Sequence, residues 1–333
     1  MAARLPAWTQ DESFLAETLI DQRWATAELP SLVAVDGDGT ILGFIGAQVR
    51  RMRLDDRVLQ GVCCSHLVVA DDPRVGPAGA LLLRRLLSGK QDLTWTDTAT
   101  DAVVQMWRTF GGHVDHSRSL DWMLVLKPVR WARAMLTTRL QRRASLRELA
   151  PARALPLHAA GRRLAQRSSP SLSAHIHGEN ATAATIAENL DDLTRDVRLR
   201  VDYDEASLDQ LFALIKAAAG SPVHRLVRRG DVAIGWYAYL CRPGGASRVL
   251  HICGPDAEID AVVDELVDDA RARGSAVLSG RFEPHLRTPL SRRSAVLGIA
   301  RFPLIHSREL EVRAMLATGS SLLTDLDGEW FAT

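Results

Sequence analysis

A strand that runs through a short Gly/Pro turn into a helix is the part of this sequence that points most directly to chemistry. Residues 67–69 are apolar, residues 73–79 contain two prolines and two glycines, and residues 80–83 begin an apolar helical run. The first turn of a helix leaves backbone N–H groups without internal partners, and the helix dipole adds partial positive charge there. The corner therefore predicts a binding site for a phosphate or another anionic group.

The type of phosphate site is restricted by the spacing of its residues. No Gly-Lys-Ser/Thr follows the turn, so it is not a P-loop, and it lacks the glycine spacing of a dinucleotide-binding fingerprint. Gly76 and Gly79 are positions where a backbone without Cβ atoms can approach a pyrophosphate closely.

The turn resembles the acyl-CoA pyrophosphate loop of the GNAT N-acyltransferases, whose usual pattern is Arg-Gly-x-Gly-x-Gly/Ala. Arg74 and Gly79 match this pattern, whereas Val75 and Pro77 fill two of the usual glycine positions. Residues 100–112 resemble the second signature of the family, Asn-x-x-Ala-x-x-x-Tyr-x-x-x-Gly-Phe. Two signatures at the proper separation are more specific than either one, and the resemblance covers roughly residues 10–128.

The resemblance implies an acyl-CoA-dependent N-acyltransferase that uses acetyl-CoA as co-substrate, needs no metal and acylates a small-molecule or peptide amine. The backbone at positions 68 and 69 would hold the pantetheine arm, and the turn would hold the pyrophosphate. The implied cofactor-binding residues are Val68, Val69, Arg74, Val75, Gly76, Pro77, Ala78, Gly79, Ala80 and Trp107.

The departures from the family pattern fall where the catalytic groups should be. Trp107 stands in the place of the family's tyrosine, and an indole N–H cannot protonate a leaving thiolate, although the ring could wall the pantetheine channel. The strand position that often carries a glutamate base is Cys63. His66 is the leading candidate for the general base because its intrinsic pKa lies near working pH. The alternative is a strand histidine that is hydrogen-bonded to a neighbour.

Cys63 and the adjacent Cys64 allow a second interpretation of the chemistry. Either thiol could be the nucleophile of a covalent route. The alternative is that both are small core residues, which are common on buried strands.

The flanking sequence predicts the elements that must position these residues. A Gly-rich turn between β-branched runs favours a hairpin, and a Gly-Gly pair favours the end of a helix. The predicted elements of the first half are a helix over 11–25, a hairpin of 31–35 and 41–52, strands over 60–69, 93–98 and 121–126, and a helix over 101–110.

The second half repeats this order with a different turn. Residues 254–258, Gly-Pro-Asp-Ala-Glu, replace the anion-binding corner, and their carboxylates would repel a pyrophosphate. Trp236, Tyr237 and Tyr239 could line an acceptor cleft. The predicted elements are strands over 197–201, 226–229, 232–241, 248–253 and 276–280, and helices over 205–219 and 258–273.

Together these patterns predict an α/β fold with two GNAT-like domains in tandem, built on mostly antiparallel mixed sheets flanked by helices. The predicted domains are an acyl-CoA-binding domain over 1–128, a basic helical linker over 129–182 and a degenerate copy over 183–333, with the acceptor amine bound between the two copies. The acidic and aromatic tail at 325–331 could dock against the chain.

Composition limits the remaining possibilities. The chain has 333 residues, which suits two domains, and a formal net charge of +1. Its four cysteines have no Cys-x-x-Cys spacing and favour a reducing compartment. No third ligand accompanies the histidine pairs at 113 and 116 or at 175 and 177, so no metal is expected. The absence of a signal peptide or an apolar spanning run predicts a cytoplasmic protein.

A strongly basic segment lies between Pro128 and Pro170, where ten arginines face one acid, Glu148. Its apolar spacing predicts an amphipathic helix. The cationic face is either solvated or docks an anionic partner, such as an acyl carrier protein or a membrane surface. Nucleic acid is not expected, because aromatic residues are nearly absent there.

Two functions of different classes agree with these residues. The first is the N-acyltransferase described above, in which holding the amine beside the thioester supplies much of the rate. The second is a non-catalytic acyl-CoA-binding or scaffold protein, which the missing glutamate and tyrosine favour.

Overall fold

The computed structural model describes residues 12–71, 75–129, 131 and 175–332, and most of the predicted elements lie close to the observed ones. Others were not predicted, and residues 176–180 of the expected helical linker over 129–182 form a strand of the second sheet. The first helix is shorter than predicted, and the helix predicted over 205–219 has those bounds. The helices are α1 (Glu12–Leu19), α2 (Ala78–Leu87), α3 (Asp101–Thr109), α4 (Ala183–Leu193), α5 (Glu205–Ala219), α6 (Ile259–Ala272), α7 (Arg287–Arg292) and α8 (Leu310–Thr318). The strands are β1 (Leu32–Val35), β2 (Ile41–Leu54), β3 (Arg57–Val69), β4 (Leu93–Thr96), β5 (His113–Val114), β6 (Leu120–Val125), β7 (Ile176–Asn180), β8 (Leu199–Val201), β9 (Val223–Arg229), β10 (Val232–Leu240), β11 (Ala246–Cys253), β12 (Val277–Arg281), β13 (Val296–Ile299), β14 (Leu304–His306) and β15 (Ser321–Leu322).

Two predicted features lie outside the described residues: Arg74 and nearly all of the basic segment at 128–170. Within the part of the chain that is described, no helix is long and apolar enough to cross a bilayer. The same residues contain no group of three or more His, Cys, Asp or Glu side chains that could hold a metal ion.

Local sequence explains where several helices begin. The Asp204 side chain accepts from the Ser207 N–H at 2.8 Å, and the Ser207 hydroxyl accepts from the Asp204 N–H at 2.9 Å. This reciprocal capping box satisfies two donors that would otherwise be left without partners at the start of α5. Thr182 and Thr185 form the same motif before α4.

The described strands form two mixed sheets flanked by helices, which confirms the predicted fold class. The first sheet has the order β15-β8-β2-β3-β4-β14-β5, with β1 paired to β2. Its centre is the long antiparallel pair β2–β3, and β3 continues into a parallel pair with β4. The second sheet has the order β13-β6-β12-β11-β10-β9-β7 and contains one comparable parallel pair, β11–β12.

The two sheets exchange strands between the halves of the chain. The expectation that the strand at 121–126 completes the first sheet is wrong, because β6 lies between β12 and β13 of the second sheet. In return, β14 from the second half lies between β4 and β5. The expectation that the strand at 197–201 belongs to the second copy is also wrong, because β8 lies between β2 and β15 of the first sheet. The position of β6 beside β12 requires a glycine, because Trp122 pairs with Gly280 and an added Cβ there would lie 2.8 Å from the indole. The domain boundaries at 128 and 183 stay predictions.

Aromatic side chains expected in a cleft lie instead in the core. Trp236, Tyr237 and Tyr239 are fully buried. The Tyr237 hydroxyl donates to Glu265, and the Tyr239 hydroxyl donates to Asp269. Because neither face of this strand is open, these three residues do not line an acceptor site.

A buried network of charges joins the two sheets. Arg281 of β12 contacts Asp97, which follows β4 of the first sheet, and Glu283 at 3.0 Å. Arg118 contacts Asp115 at 2.7 Å and Glu283 at 2.9 Å. Burial of an ion is tolerated when its partner is held in good geometry, and loss of one partner leaves an uncompensated charge. The network therefore holds the sheets in one relative position.

The first prediction concerns this network. Replacing Arg281 with Met leaves Asp97 buried without its cation and Glu283 with Arg118 alone, so we expect the free energy of unfolding to fall by roughly 3–5 kcal/mol. The control is Arg57→Met, which removes an exposed pair with Glu309 and Glu311 and should cost at most about 1 kcal/mol. Urea denaturation measures both, and equal losses would contradict the assignment.

Candidate functional site

The candidate site lies where β3 and β4 separate. The two strands pair in parallel from Gly61 and Leu93 to Cys63 and Trp95, and the printed register ends there. Beyond this point β3 continues to Val69 alongside β2 alone, while β4 pairs with β14 on its other side. The gap between residues 65–69 and 96–98, here called the strand opening, leaves the β4-facing edge of β3 without a neighbouring strand.

His66 lies at the mouth of the strand opening on a β-bulge. Gly46 pairs with Ser65 and Phe44 pairs with Val68, so β3 has one residue more than β2 over this interval. His66 takes the left-handed conformation, with φ of 53°. Bulges of this kind redirect a side chain, and here the bulge sets the direction of the imidazole.

The imidazole of His66 has the properties of a neutral base. Its Nδ1 lies 2.9 Å from the Ser65 hydroxyl. Burial lowers the pKa of His66 below its usual value, because a charged imidazolium is disfavoured away from water. The ring is therefore neutral near pH 7.

The corner that the sequence singled out stands at the far end of the same strand. Gly76 has φ of 47°, a conformation that favours glycine, and α2 begins after Pro77 with no side-chain cap from a described residue. A Cβ on Gly79 would lie 3.3 Å from Val69, so the absence of a side chain lets the helix approach the strand. Val75, Ala78 and Ala80 complete the described part of the corner.

The corner can still accept an anion. The N–H of Leu81 donates to the Pro77 carbonyl at 2.9 Å, and the helical N–H groups before it have no intrahelical acceptor. Val68 and Val69 are 45% and 44% exposed, so the strand end that leads to the corner is open to solvent. An extended ligand can therefore run along this edge from the strand opening to α2.

Cys63 and Cys64 are poorly placed to act as nucleophiles. Both thiols are buried. Burial raises the pKa of each thiol well above its usual value, and nearby Glu329 raises it further. The reactive thiolate is therefore disfavoured, as expected for core residues.

Trp107 does not face the strand opening. Its ring is fully buried in the core formed by the sheet, α2 and α3, and a Cβ on Gly112 would collide with it. A fully buried ring has no surface to offer a pantetheine chain, so the packing argues against Trp107 as a channel wall.

A carboxylate that sequence reasoning missed reaches the strand opening from the end of the chain. Residues 325–331, here called the C-terminal segment, are buried throughout. One carboxylate oxygen of Glu329 accepts from the N–H groups of Asp97 and Thr98 at 2.7 and 2.9 Å, and from the hydroxyls of Thr96 and Thr98 at 2.8 and 3.1 Å. A Cβ on Gly328 would lie 1.8 Å from the Asp97 carboxylate, so only glycine permits this approach.

The electrostatic state of Glu329 is unusual for a carboxyl group. Burial, together with the nearby charge of Asp97, raises its pKa to about 7. Two residues further along the chain, the Phe331 ring lies 5.3 Å from the His66 ring. The only sequence signal for this arrangement was the acidic and aromatic composition of the tail, which does not specify where it docks.

A chain of hydrogen bonds leads away from His66 along β2. Gln48 donates from Nε2 to the Ser65 hydroxyl at 3.3 Å. Arg50 donates from Nη2 to Gln48 Oε1 at 3.0 Å, and because arginine is only a donor this bond fixes the orientation of the amide. Arg50, Gln48, Ser65 and His66 therefore form one continuous polar chain.

In the second sheet, the turn at residues 254–258 occupies the place of the anion-binding corner, and internal ion pairs occupy the side chains around it. Glu258 contacts Arg229, and Asp260 contacts Arg292 and Arg293. The N–H groups of Glu258 and Ile259 donate to the Pro255 carbonyl at 2.8 and 3.0 Å. The geometry agrees with the expectation that this corner holds no pyrophosphate.

Comparison with solved structures identifies the architecture. A probable N-acyltransferase from Enterococcus faecalis V583 has a TM-score of 0.51 at 10% identity, covering 82% of this chain and 61% of its own. A GCN5-related N-acetyltransferase from Kribbella flavida gives 0.52 at 14%, covering 83% and 59%. The protein from Anabaena variabilis ATCC 29413 with the same description gives 0.53 at 9%, covering 84% and 62%.

The chain has the GCN5-related N-acetyltransferase fold. The resemblance drawn from the two sequence signatures is thereby confirmed at the level of fold. This chain spans about three fifths of the length of each of these N-acetyltransferase-fold structures. No family model matches the sequence, and no curated protein matches it. The catalytic and cofactor-binding assignments on this fold stay predictions.

The second prediction uses the pKa of Glu329. Because its folded-state pKa of about 7 exceeds the ordinary value of 4.5, the stabilisation from the bound proton is fully present below about pH 4.5 and is lost as pH rises through 7. Wild-type protein should therefore lose stability relative to Glu329→Gln between pH 5 and pH 8, a window set by that shift. Urea denaturation across this range measures the difference.

The matched control for this measurement is Glu28→Gln, at an exposed carboxylate paired with Lys90. It should follow the wild-type pH dependence. If Glu329→Gln followed it as well, Glu329 would not hold its proton in the folded state.

Proposed function

We propose that the protein is an acyl-CoA-dependent N-acyltransferase that transfers an acyl group, with acetyl as the expected case, to a primary amine bound between the two halves of the chain. The observation that carries the proposal is the strand opening, with His66 on a bulge at its mouth and an anion-binding corner at the far end of the same strand. The N-acetyltransferase fold supports it.

The donor would lie along the exposed edge of β3. The backbone of Val68 and Val69 has β2 on one side and the strand opening on the other, so it can pair with the amide groups of a pantetheine arm. The first N–H groups of α2 would receive the pyrophosphate, where the helix dipole favours negative charge. Arg74 is proposed to add a side-chain contact there.

His66 is proposed as the base that prepares the acceptor. A lone pair on Nε2 would take a proton from the ammonium group in the tautomer whose Nδ1–H donates to the Ser65 hydroxyl. The amine nitrogen then attacks the thioester carbonyl carbon, the carbon–sulfur bond breaks, and the electron pair leaves with sulfur. The nitrogen passes its second proton to the departing thiolate, so the products are the amide and the free thiol of CoA. Because a thiol has a pKa of about 8.5, the thiolate departs near neutral pH without the tyrosine that Trp107 replaces.

A non-catalytic acyl-CoA-binding protein is the second candidate. Two observations favour it: one carboxylate oxygen of Glu329 accepts from residues 96–98, and the Phe331 ring packs against His66. Release of free thiol from acetyl-CoA in the presence of amines supports the enzyme, whereas acetyl-CoA binding without any such release supports this alternative.

The third prediction tests the corner. Gly79→Asp places a carboxylate at the first turn of α2 and a Cβ 3.3 Å from Val69, so we expect acetyl-CoA to bind at least about 10-fold more weakly. Isothermal titration with acetyl-CoA measures the change. The control, Gly245→Asp, adds the same charge in the second half, where the new Cβ meets only Arg242 at 3.6 Å. Equal affinity of the two variants for acetyl-CoA would contradict the assignment of this corner to the cofactor-binding site.

The fourth prediction tests the base. His66→Asn suits the left-handed backbone and removes the imidazole, so the bulge should persist while kcat falls roughly 100-fold or more. Because the pKa of His66 lies below 6.5, the wild-type rate should fall on the acid side of that value and be level at pH 7. The pH–rate profile with a fixed amine measures both. An unchanged acid limb in His66→Asn would assign the base to another group.

A further inference from the structure

A narrow cleft between the two halves of the chain ends on a buried arginine. The cleft lies among α1, β2, α5 and the C-terminal segment, and its walls include Glu17, Gln22, Arg50, Tyr203, Gln210 and Trp330. Its cavity has a volume of about 30 Å³. At about 10–15 Å³ for each water, this is room for about two oxygen atoms.

Arg50 is a buried cation that is held by neutral groups. Its side chain donates to the carbonyls of Asp327 and Val49 at 3.2 and 3.1 Å and to Gln48 Oε1 at 3.0 Å. The residue is 9% exposed, and no carboxylate of a described residue forms an ion pair with its guanidinium, whose contacts are the neutral ones above. Arg118 and Arg281, which are more deeply buried, each contact two or more carboxylates. Arg50 therefore lacks the counterion that such a site normally requires.

The acidic groups nearest to Arg50 are committed elsewhere. The Asp327 carboxylate accepts from the Tyr203 hydroxyl at 2.7 Å and from the Thr324 hydroxyl at 2.8 Å. Burial raises the pKa of Asp327, which favours its neutral form. Glu17 lies at the exposed end of the cleft. A ligand with a carboxylate or a similar small anion would supply the missing charge in a geometry that a guanidinium binds well.

The hydrogen-bond chain described above joins this cation to His66. Arg50 contacts Gln48, Gln48 contacts Ser65, and Ser65 contacts His66. Three hydrogen bonds, of 3.0, 3.3 and 2.9 Å, and the side chains of Gln48 and Ser65 therefore lie between the guanidinium and the imidazole. Trp330 borders the cleft and the next residue, Phe331, borders His66, so the C-terminal segment follows the same path.

We propose that the acceptor is an amine that carries a carboxylate at the other end of a short chain, with the carboxylate bound by Arg50 and the amine presented to His66. This substrate class rests on the proposed acyltransferase function. The spacing favours acceptors in which several carbons separate the two groups, because an α-amino acid carries both on one carbon and cannot span the two side chains that lie between Arg50 and His66.

The experiment compares two amines that differ in the carboxylate: ε-aminocaproate and hexylamine. With acetyl-CoA, wild-type protein should acetylate ε-aminocaproate with a kcat/KM at least about 10-fold above that for hexylamine, the effect of one charge-assisted contact. Glycine should be a poorer acceptor than γ-aminobutyrate. In Arg50→Met the ratio between ε-aminocaproate and hexylamine should fall to about 1, and Arg50→Lys should restore part of it.

Arg57→Met, at an exposed arginine paired with Glu309 and Glu311, is the matched control and should keep the wild-type ratio. Equal kcat/KM values for ε-aminocaproate and hexylamine in the wild type would overturn the proposal while leaving the acyltransferase function in place. This comparison needs no variant, so it tests the proposed substrate class even if Arg50→Met does not fold.

A binding measurement distinguishes failure of the Arg50 site from failure of the proposed acyltransferase function. Isothermal titration with ε-aminocaproate, without acetyl-CoA, should give binding to wild type and at least about 10-fold weaker binding to Arg50→Lys. Binding with no acetylation of any amine would uphold the Arg50 site and overturn the acyltransferase. Absence of binding together with acetylation of hexylamine would overturn the Arg50 site alone.

Discussion

The structure depends on a buried C-terminal segment whose acidic side chains are held by arginines, hydroxyl groups and backbone N–H groups. Asp325 lies within 3.0 Å of Arg301 and also contacts Arg248, and these cations together with Arg281 lower its pKa although burial alone would raise it. Glu329 contacts no such cation among the described residues, so burial and the nearby charge of Asp97 raise its pKa, although its N–H and hydroxyl donors act in the opposite direction. Without these partners the acidic segment could not leave water, because an unpaired buried charge costs several kcal/mol.

Burial of this segment and the exchange of strands are two aspects of one arrangement. The segment passes between the two parallel strand pairs, with Asp325 near β11 and β12 and Glu329 beside β4. β6 and β14 each cross to the other sheet, so neither sheet is complete from one half of the chain. Since residues from both halves border the strand opening, the candidate site requires the whole described fold.

The same geometry explains why the site combines an exposed edge with buried polar groups. Loss of pairing after Cys63 opens the backbone of β3 to a ligand, while the bulge directs His66 inward. Ser65 then lies within hydrogen-bond distance of the imidazole, Gln48 donates to that serine, and Phe331 of the C-terminal segment packs against the ring. Low local dielectric strengthens each of these contacts and increases the cost of leaving any of them unmade.

Local patterns in the sequence determined the elements. Alternating β-branched runs and the glycine-containing turns placed most of the predicted strands and helices within a few residues, because these signals act between near neighbours. The first helix ends well before its predicted end, and α4, β7 and the elements after β12 were not predicted. The strand, glycine turn and helix also located the corner near Gly76, and two signatures indicated the fold. The exchange of β6 and β14, the burial of Trp107 and the arrival of Glu329 beside residues 96–98 were decided only by tertiary structure. Each of these brings together residues that are distant in sequence. The packing and charge pairing that select such contacts cannot be recognised from the spacing of residues along a short stretch of sequence.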